Sequence, residues 1–258
     1  MYLQRAIVFA ALVGGGLQAA QRPPQEANPV VIELFTAQGC SSCPPADRVL
    51  SALGRDEGTR DRVVPLAFHV DYWNQVGWTD PFGSPRWSAR QEAYGRRFGL
   101  ESVYTPQLVV NGRAELNGGE EQRVREEIAL GMKRSPVARI HLEAAFLEGR
   151  PDVMVIAEVE ILDRPGASKL DLMVALFENA VVTPVARGEN RGRVLHNDFI
   201  VRRLETAFSL EGRAGSSRRK ELKLRLDPGW RRENLGIAAF LQDPRSMEIH
   251  GAVSKPLP

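Results

Sequence analysis

The chain holds two cysteines in 258 residues, and they stand two residues apart in Gly39-Cys40-Ser41-Ser42-Cys43-Pro44-Pro45. An apolar run, Val30-Val31-Ile32-Glu33-Leu34-Phe35, precedes them, and a helical pattern follows. A thiol pair where a strand gives way to a helix suits thiol–disulfide exchange. The helix N-terminus stabilises a thiolate, and the second sulfur is near enough to close a disulfide. The same spacing makes a poor staple. Closing so short a loop stabilises by only about 2 kcal/mol in the chain-entropy model, less than a long loop would.

Composition narrows the partners. The formal charge is +2, and both signs are mixed along the chain, so nothing calls for nucleic acid or a membrane surface. Residues 1–20 read as an export signal: Arg5 is the sole charge, Ala6 to Val13 is an apolar core too short to span a bilayer, and Ala19-Ala20 offers small residues for cleavage. Residues 21–29 read as a polar, proline-bearing linker. The expected location is periplasmic or secreted, where disulfides persist, with no membrane contact once the signal is removed.

Along the chain, Val30 to Phe35 and Val63 to Val70 read as buried strands. Pro44 and Pro45 suit a first helical turn. Val49, Leu50 and Leu53 stripe that helix, and Gly54 can stop it. Ser84-Pro85 is a cap followed by a first-turn proline, opening a helix with Trp87, Tyr94 and Phe98 that ends at Gly99. Gln107 to Val110, an Asn111-Gly112 hairpin turn and Arg113 to Leu116 read as two antiparallel strands, with a last helix from Glu120 to Met132. The order is strand–helix–strand–helix–strand–strand–helix, which is the thioredoxin order. After Pro136 the apolar period becomes two, as in Ile140, Leu142, Ala144 and in Val153, Val155, Ala157, Val159, Ile161. About seven such strands, separated by Gly and Pro turns, argue an antiparallel β-sandwich. The expected fold is therefore an α/β thioredoxin-like N-terminal domain, residues 30–135, followed by an all-β antiparallel sandwich domain, residues 136–258.

The candidate chemistry follows from this order. Cys40 precedes the helix and is the expected attacking thiol; Cys43, inside the first turn, is the expected resolving thiol. Thr105-Pro106 falls just before the hairpin strand, facing the cysteines. A cis bond there would aim the Thr105 backbone at Cys40, ready to pair with an extended substrate chain. Glu33 lies mid-strand among apolar residues. Buried beneath the thiol pair it would take the Cys43 proton; leaning to an edge it would make an ordinary ion pair. The loop from His69 to Phe82 leaves the C-terminal end of the second strand, the edge where parallel sheets place ligands. It carries Tyr72, Trp73, Trp78 and Phe82. These aromatics either pin the loop or, with Trp73 and Trp78 foremost, form a substrate rim, with His69 or Asp71 polarising a thiol. Cys40, Cys43 and His69 lack a second pair of ligands, so no metal is expected. His196-Asn197-Asp198 reads as a turn entering a strand.

These residues resemble a known family. The matching stretches are Glu33 to Asp47, Phe68-His69-Val70-Asp71-Tyr72-Trp73, Gly77 to Phe82, Arg90-Gln91 and Val103 to Gly112, with a looser echo around His196-Asn197. They are similar to the secreted bacterial thioredoxin-like family called domain of unknown function 1223. Asn74 stands where that family more often has Asp. The resemblance implies a thioredoxin-like fold and export and supplies no activity.

The expected function is thus an exported thiol–disulfide oxidoreductase acting on protein thiols or disulfides. Cys40 attacks, Cys43 resolves, Glu33 relays a proton and Thr105-Pro106 holds the substrate backbone; no organic cofactor is implied. The alternative is a non-catalytic module that binds a peptide or a soft metal on the same scaffold. Oligomeric state is open.

Overall fold

The computed structural model describes residues 29–59 and 61–258. The expected export signal and nearly all of the expected linker lie outside the described residues. Thirteen strands and three α-helices are described. In the N-terminal half the order is β1 (Val30–Thr36), α1 (Cys43–Arg55), β2 (Val63–His69), a 3-10 turn (Tyr72–Val76), α2 (Pro85–Phe98), β3 (Gln107–Val110), β4 (Ala114–Asn117) and α3 (Glu121–Met132). The C-terminal half adds β5 (Ala138–Phe146), β6 (Asp152–Ile161), β7 (Lys169–Glu178), β8 (Val181–Pro184), β9 (Val194–Asn197), β10 (Ile200–Glu211), β11 (Ser217–Arg225), β12 (Leu235–Gln242) and β13 (Ile249–Pro256).

Local chemistry explains the N-terminal elements. β1 and β2 are parallel and buried along their whole length, which is why both read as continuous apolar runs. Ser84 caps α2 by accepting the Arg86 amide at 3.3 Å, and Gly99 ends that helix in the left-handed region. Asn111 and Gly112 both take positive φ, as the tight turn joining β3 to β4 requires.

The expected pairing of a thioredoxin-like domain with a separate sandwich is overturned. Eight strands form one mixed sheet in the order β13-β12-β7-β10-β2-β1-β3-β4, drawn from both halves of the chain. The splice is at β2. Ile200 of β10 pairs in parallel with Ala67, and the Ala67 amide donates to the Phe199 carbonyl at 2.8 Å. Only β11, β6 and β5 form a second sheet, and β8 pairs with β9 as a separate ribbon. The expected sandwich thus has one layer of its own, and its other layer is the continuation of the N-terminal sheet. The reason is physical. Period-two alternation reports which face of a strand is buried and carries no record of the strand alongside. An unpaired β2 edge would be a liability, and β10 meets it at Ala67.

One face of the large sheet packs on α2 through Val31, Phe35, Phe68, Trp87, Tyr94 and Phe240. The other face is shared. α1 and α3 cover Ile32, Leu34, Leu108 and Val110, while the three-stranded sheet covers Leu172, Val174, Ile237 and Ala239.

Two glycines record how closely the halves meet. Gly54 lies inside α1 instead of stopping it; a Cβ there would stand 2.2 Å from the Phe199 ring. At Gly112 a Cβ would stand 2.0 Å from the backbone oxygen of Met247, and φ is +64°. Gly112→Ala therefore meets both a backbone clash and a disfavoured dihedral. We expect it to cost about 3 kcal/mol of stability, read as a lowered urea midpoint at unchanged slope. A loss under about 1 kcal/mol would contradict the close approach of the β3–β4 turn to residue 247.

Candidate functional site

The parallel pair β1–β2 delivers Thr36 and His69 side by side at its C-terminal edge. The chain then turns through Ala37 to Gly39 and enters α1 at Cys43. Cys40 and Cys43 form a disulfide with Cα atoms 5.4 Å apart, and the Cys43 amide donates to the Cys40 carbonyl at 3.3 Å. Proline at the first positions of α1 removes amides that would have no intrahelical partner.

The Thr105–Pro106 bond is cis, and the Thr105 carbonyl oxygen lies 4.0 Å from Cys40 Sγ. The Ser42 hydroxyl lies 3.3 Å from the same sulfur and can donate to it. The structure thus brings Cys40, Cys43, Thr105 and Pro106 together. Trp73 and Trp78 join them through hydrogen bonds: Trp73 Nε1 donates to Thr105 Oγ1 at 2.8 Å, and Trp78 Nε1 donates to Gln38 Oε1 at 3.1 Å. Both rings are half-buried.

Neither cysteine has any solvent exposure. Part of the cover comes from the C-terminal half, in the β8–β9 connection. Asn190 Nδ2 donates to the carbonyls of Gln38 and Cys40 at 2.8 and 2.9 Å. The Glu189 carboxylate accepts the Ser41 amide at 3.0 Å. Gln38 is the node of this arrangement, because all its polar groups are engaged. Its amide donates to Asp80 at 2.7 Å, and its side-chain amide donates to Asn197 Oδ1 at 3.2 Å. Sequence reasoning missed Glu189 and Asn190. They sit in an ordinary Gly-flanked turn some 150 residues from the cysteines, and nothing local marks them.

Two expected polar residues lie elsewhere. Glu33 is fully buried, as a mid-strand position implies, and its carboxylate is committed to α2. It accepts from Arg90 Nε at 2.5 Å, Arg90 Nη2 at 3.0 Å and the Tyr94 hydroxyl at 2.5 Å. Its geometry is that of a buried ion pair, neither an edge contact nor a carboxylate turned to Cys43. Asp71 accepts from the Ser88 hydroxyl at 2.5 Å, which ties its loop to α2.

Three buried acidic and basic groups on the cysteine side are Asp47, His69 and Asp80. Asp47 is four residues after Cys43 on α1, hence on the same helix face, and its Oδ1 accepts from Thr36 Oγ1 at 2.8 Å. His69 Nδ1 is 2.8 Å from Asp80 Oδ2, with both side chains fully buried. Burial pushes the Asp47 carboxyl up from 3.8 to about 6, although the nearby His69 and the Thr36 hydroxyl pull it down. For His69, burial disfavours the imidazolium, but the Asp80 carboxylate, its hydrogen bond and Asp47 together outweigh burial and raise the ring above its ordinary value. Burial likewise works against the Asp80 carboxylate, yet His69 and the amides of Gln38 and Phe82 hold it below the usual range. Among the described residues, no group of three or more His, Cys, Asp or Glu is arranged to hold a metal ion. No helix among them is long and apolar enough to cross a membrane.

Residues 31–242 match the family described as "Protein of unknown function (DUF1223)", and the chain belongs to that family. Among solved structures, protein AGR_C_4864 from Agrobacterium tumefaciens is 29% identical with a TM-score of 0.66, the match covering 89% of this chain and 95% of that one. HBP35 of Porphyromonas gingivalis is 20% identical with a TM-score of 0.69, covering 90% of this chain and 76% of that one; the likeness is one of fold. No curated protein matches the chain.

The Asp47 environment makes a pH prediction. A carboxyl whose folded pKa is raised favours the folded state at low pH, and that contribution is lost as pH rises from the unfolded value of 3.8 through the folded value of about 6. Asp47→Asn carries no such proton. Its stability relative to wild type should therefore climb by about 3 kcal/mol between pH 4 and pH 7, measured by urea titration at each pH. A constant difference across that range would show that Asp47 does not titrate there.

Proposed function

We propose that the protein is an exported thiol–disulfide oxidoreductase that exchanges Cys40–Cys43 with thiols or disulfides of other proteins. The observation that supports this most is the Thr105 carbonyl 4.0 Å from Cys40 Sγ, just before Pro106. An extended chain that presents a sulfur to Cys40 would find a backbone acceptor beside it. In the oxidising direction a substrate thiolate attacks Cys40 Sγ, the bond to Cys43 breaks, and Cys43 leaves as a thiolate. A second substrate thiol then attacks the substrate sulfur of the mixed disulfide and releases Cys40. Two protein cysteines are reduced as two substrate thiols are oxidised. The start of α1 favours the thiolate at each stage through its unpaired amides and helix dipole. Export belongs to the proposal: residues 1–20 have the composition of a signal, and a disulfide persists outside the cytoplasm.

The complete burial of both cysteines favours a second reading, a passive cross-link at the start of α1. The two readings differ over the cover. Exchange requires the Glu189-Asn190 segment to lift from Gln38, Ser41 and Cys40, whereas a cross-link does not. Asn190→Ala removes a contact with Arg193 and the two hydrogen bonds that hold the segment to the cysteine turn, the latter about 1 kcal/mol each. On the exchange reading it should speed reduction of Cys40–Cys43 by a small dithiol about 30-fold, while Cys40→Ser abolishes exchange with a model peptide disulfide. A disulfide that resists reduction in the folded wild type and in Asn190→Ala alike supports the cross-link.

A further inference from the structure

Any exchange at Cys40–Cys43 must also move a proton, because Cys43 alternates between a disulfide sulfur and a thiol. Glu33 is unavailable for this: Arg90 and Tyr94 occupy its carboxylate. A buried polar cluster lies at the C-terminal edge of β1 and β2, where Asp47 joins α1 to Thr36 of β1 on the helix face that carries Cys43. Three observations define it. Asp47 follows Cys43 by four residues on α1, the spacing that places two side chains as neighbours, about 5–6 Å between Cβ atoms. Thr36 Oγ1 holds one Asp47 oxygen at 2.8 Å. His69 is fully buried with Nδ1 on Asp80, and its Nε2 has no hydrogen-bond partner among the described residues. A buried imidazole nitrogen without a partner is costly unless it serves something.

We propose that Asp47, held by Thr36 and backed by the His69–Asp80 pair, takes the Cys43 proton when the disulfide closes and returns it when the disulfide opens. This rests on the thiol-exchange reading. In the closing step the mixed disulfide is on Cys40 and Cys43 is a thiol. Its proton passes to the Asp47 carboxylate, the Cys43 sulfur attacks Cys40 Sγ, and the bond to the substrate sulfur breaks. The substrate leaves as a thiolate with that electron pair, and Asp47 is left as a carboxylic acid that gives its proton to solvent or to the leaving thiolate. In the opening step the Cys43 thiolate takes the proton back. The charged groups facing the cluster are His69 on β2, Asp80 in the loop before α2 and Arg202 on β10, while Thr36 on β1 and Asn197 on β9 act on Asp47 as neutral hydrogen-bonding groups. Arg202 is itself paired with Glu178 at 2.6 Å, and His69 with Asp80 at 2.8 Å. Burial of Asp47, which pushes its carboxyl up to about 6, places the exchange of this proton near neutral pH.

The test is a single-turnover measurement on the full chain. Reduced protein is capped on Cys40 with 5-thio-2-nitrobenzoate, and release of that chromophore reports attack by Cys43. In wild type the release rate should rise through an inflection near the Asp47 value. Asp47→Asn keeps the size of the side chain. It should remove the inflection and slow release about 100-fold at neutral pH. Thr36→Val removes a donor that favours the carboxylate, so it should move the inflection to higher pH without abolishing it. An Asp47→Asn protein that keeps the wild-type profile overturns the proposal, as does an inflection that Thr36→Val leaves in place. The two failures are separable. If wild type releases no chromophore, the exchange reading falls and takes this proposal with it. If wild type and Asp47→Asn release it alike, exchange stands and only the role of Asp47 falls.

Discussion

The structure turns on one buried ion pair. Glu33 sits in the middle of β1, in a sheet covered on both faces, where an unpaired carboxylate would be prohibitively costly. Arg90 reaches it from α2 through two nitrogens, and Tyr94 adds a hydroxyl. The same guanidinium donates to Gln242 at 3.2 Å, and Gln242 Nε2 donates to Tyr94 at 3.0 Å. Gln242 ends β12, so the network that neutralises Glu33 also clamps α2 across strands from both halves of the chain. A pair of this kind adds little net stability compared with an apolar isostere. Its loss, however, would strand a buried charge, so it specifies one arrangement of α2 over the sheet.

The candidate site depends on the same union of halves. The disulfide, its turn and the Thr105–Pro106 bond come from the first half. The side chains that close over that turn, Glu189, Asn190 and Asn197, come from the second. Gln38 receives contacts from both. A segment so tied is held in one conformation, and the sulfurs are shielded as long as those hydrogen bonds persist. The Asn190 bonds of this shield are buried and the Glu189–Ser41 bond is exposed. Exchange at the buried cysteines therefore depends on the Gly-flanked β8–β9 connection moving away as a unit.

What was legible depended on range. The strand and helix positions of the first half, the Ser84 cap, the Asn111-Gly112 turn and the junction holding Cys40 and Cys43 are each set by residues within a few positions of one another. The same holds for the Thr105-Pro106 dipeptide ahead of β3. Glu33 was legible as buried and charged, but its partner was not, because Arg90 lies on a separate helix and any of several arginines would have satisfied the pattern. Asp47 was illegible as an acid of the site. No local pattern in α1 marks it, and its burial comes from the packing of β1, β9 and the His69 loop against it.

By itself the amino-acid sequence determined the local elements, the face each strand buries and the placing of two thiols at a helix start, because these follow from dihedral preferences, apolar period and spacing over a few residues. The tertiary structure alone decided that β10 joins β2 to make one sheet of the two halves, that Asn190 and Glu189 lie over the disulfide turn, and that Asp47, His69 and Asp80 share one buried cluster. Those outcomes are contacts between residues far apart in the chain. They are chosen by which edges remain to be paired and which charges remain to be neutralised, and no local pattern encodes that choice.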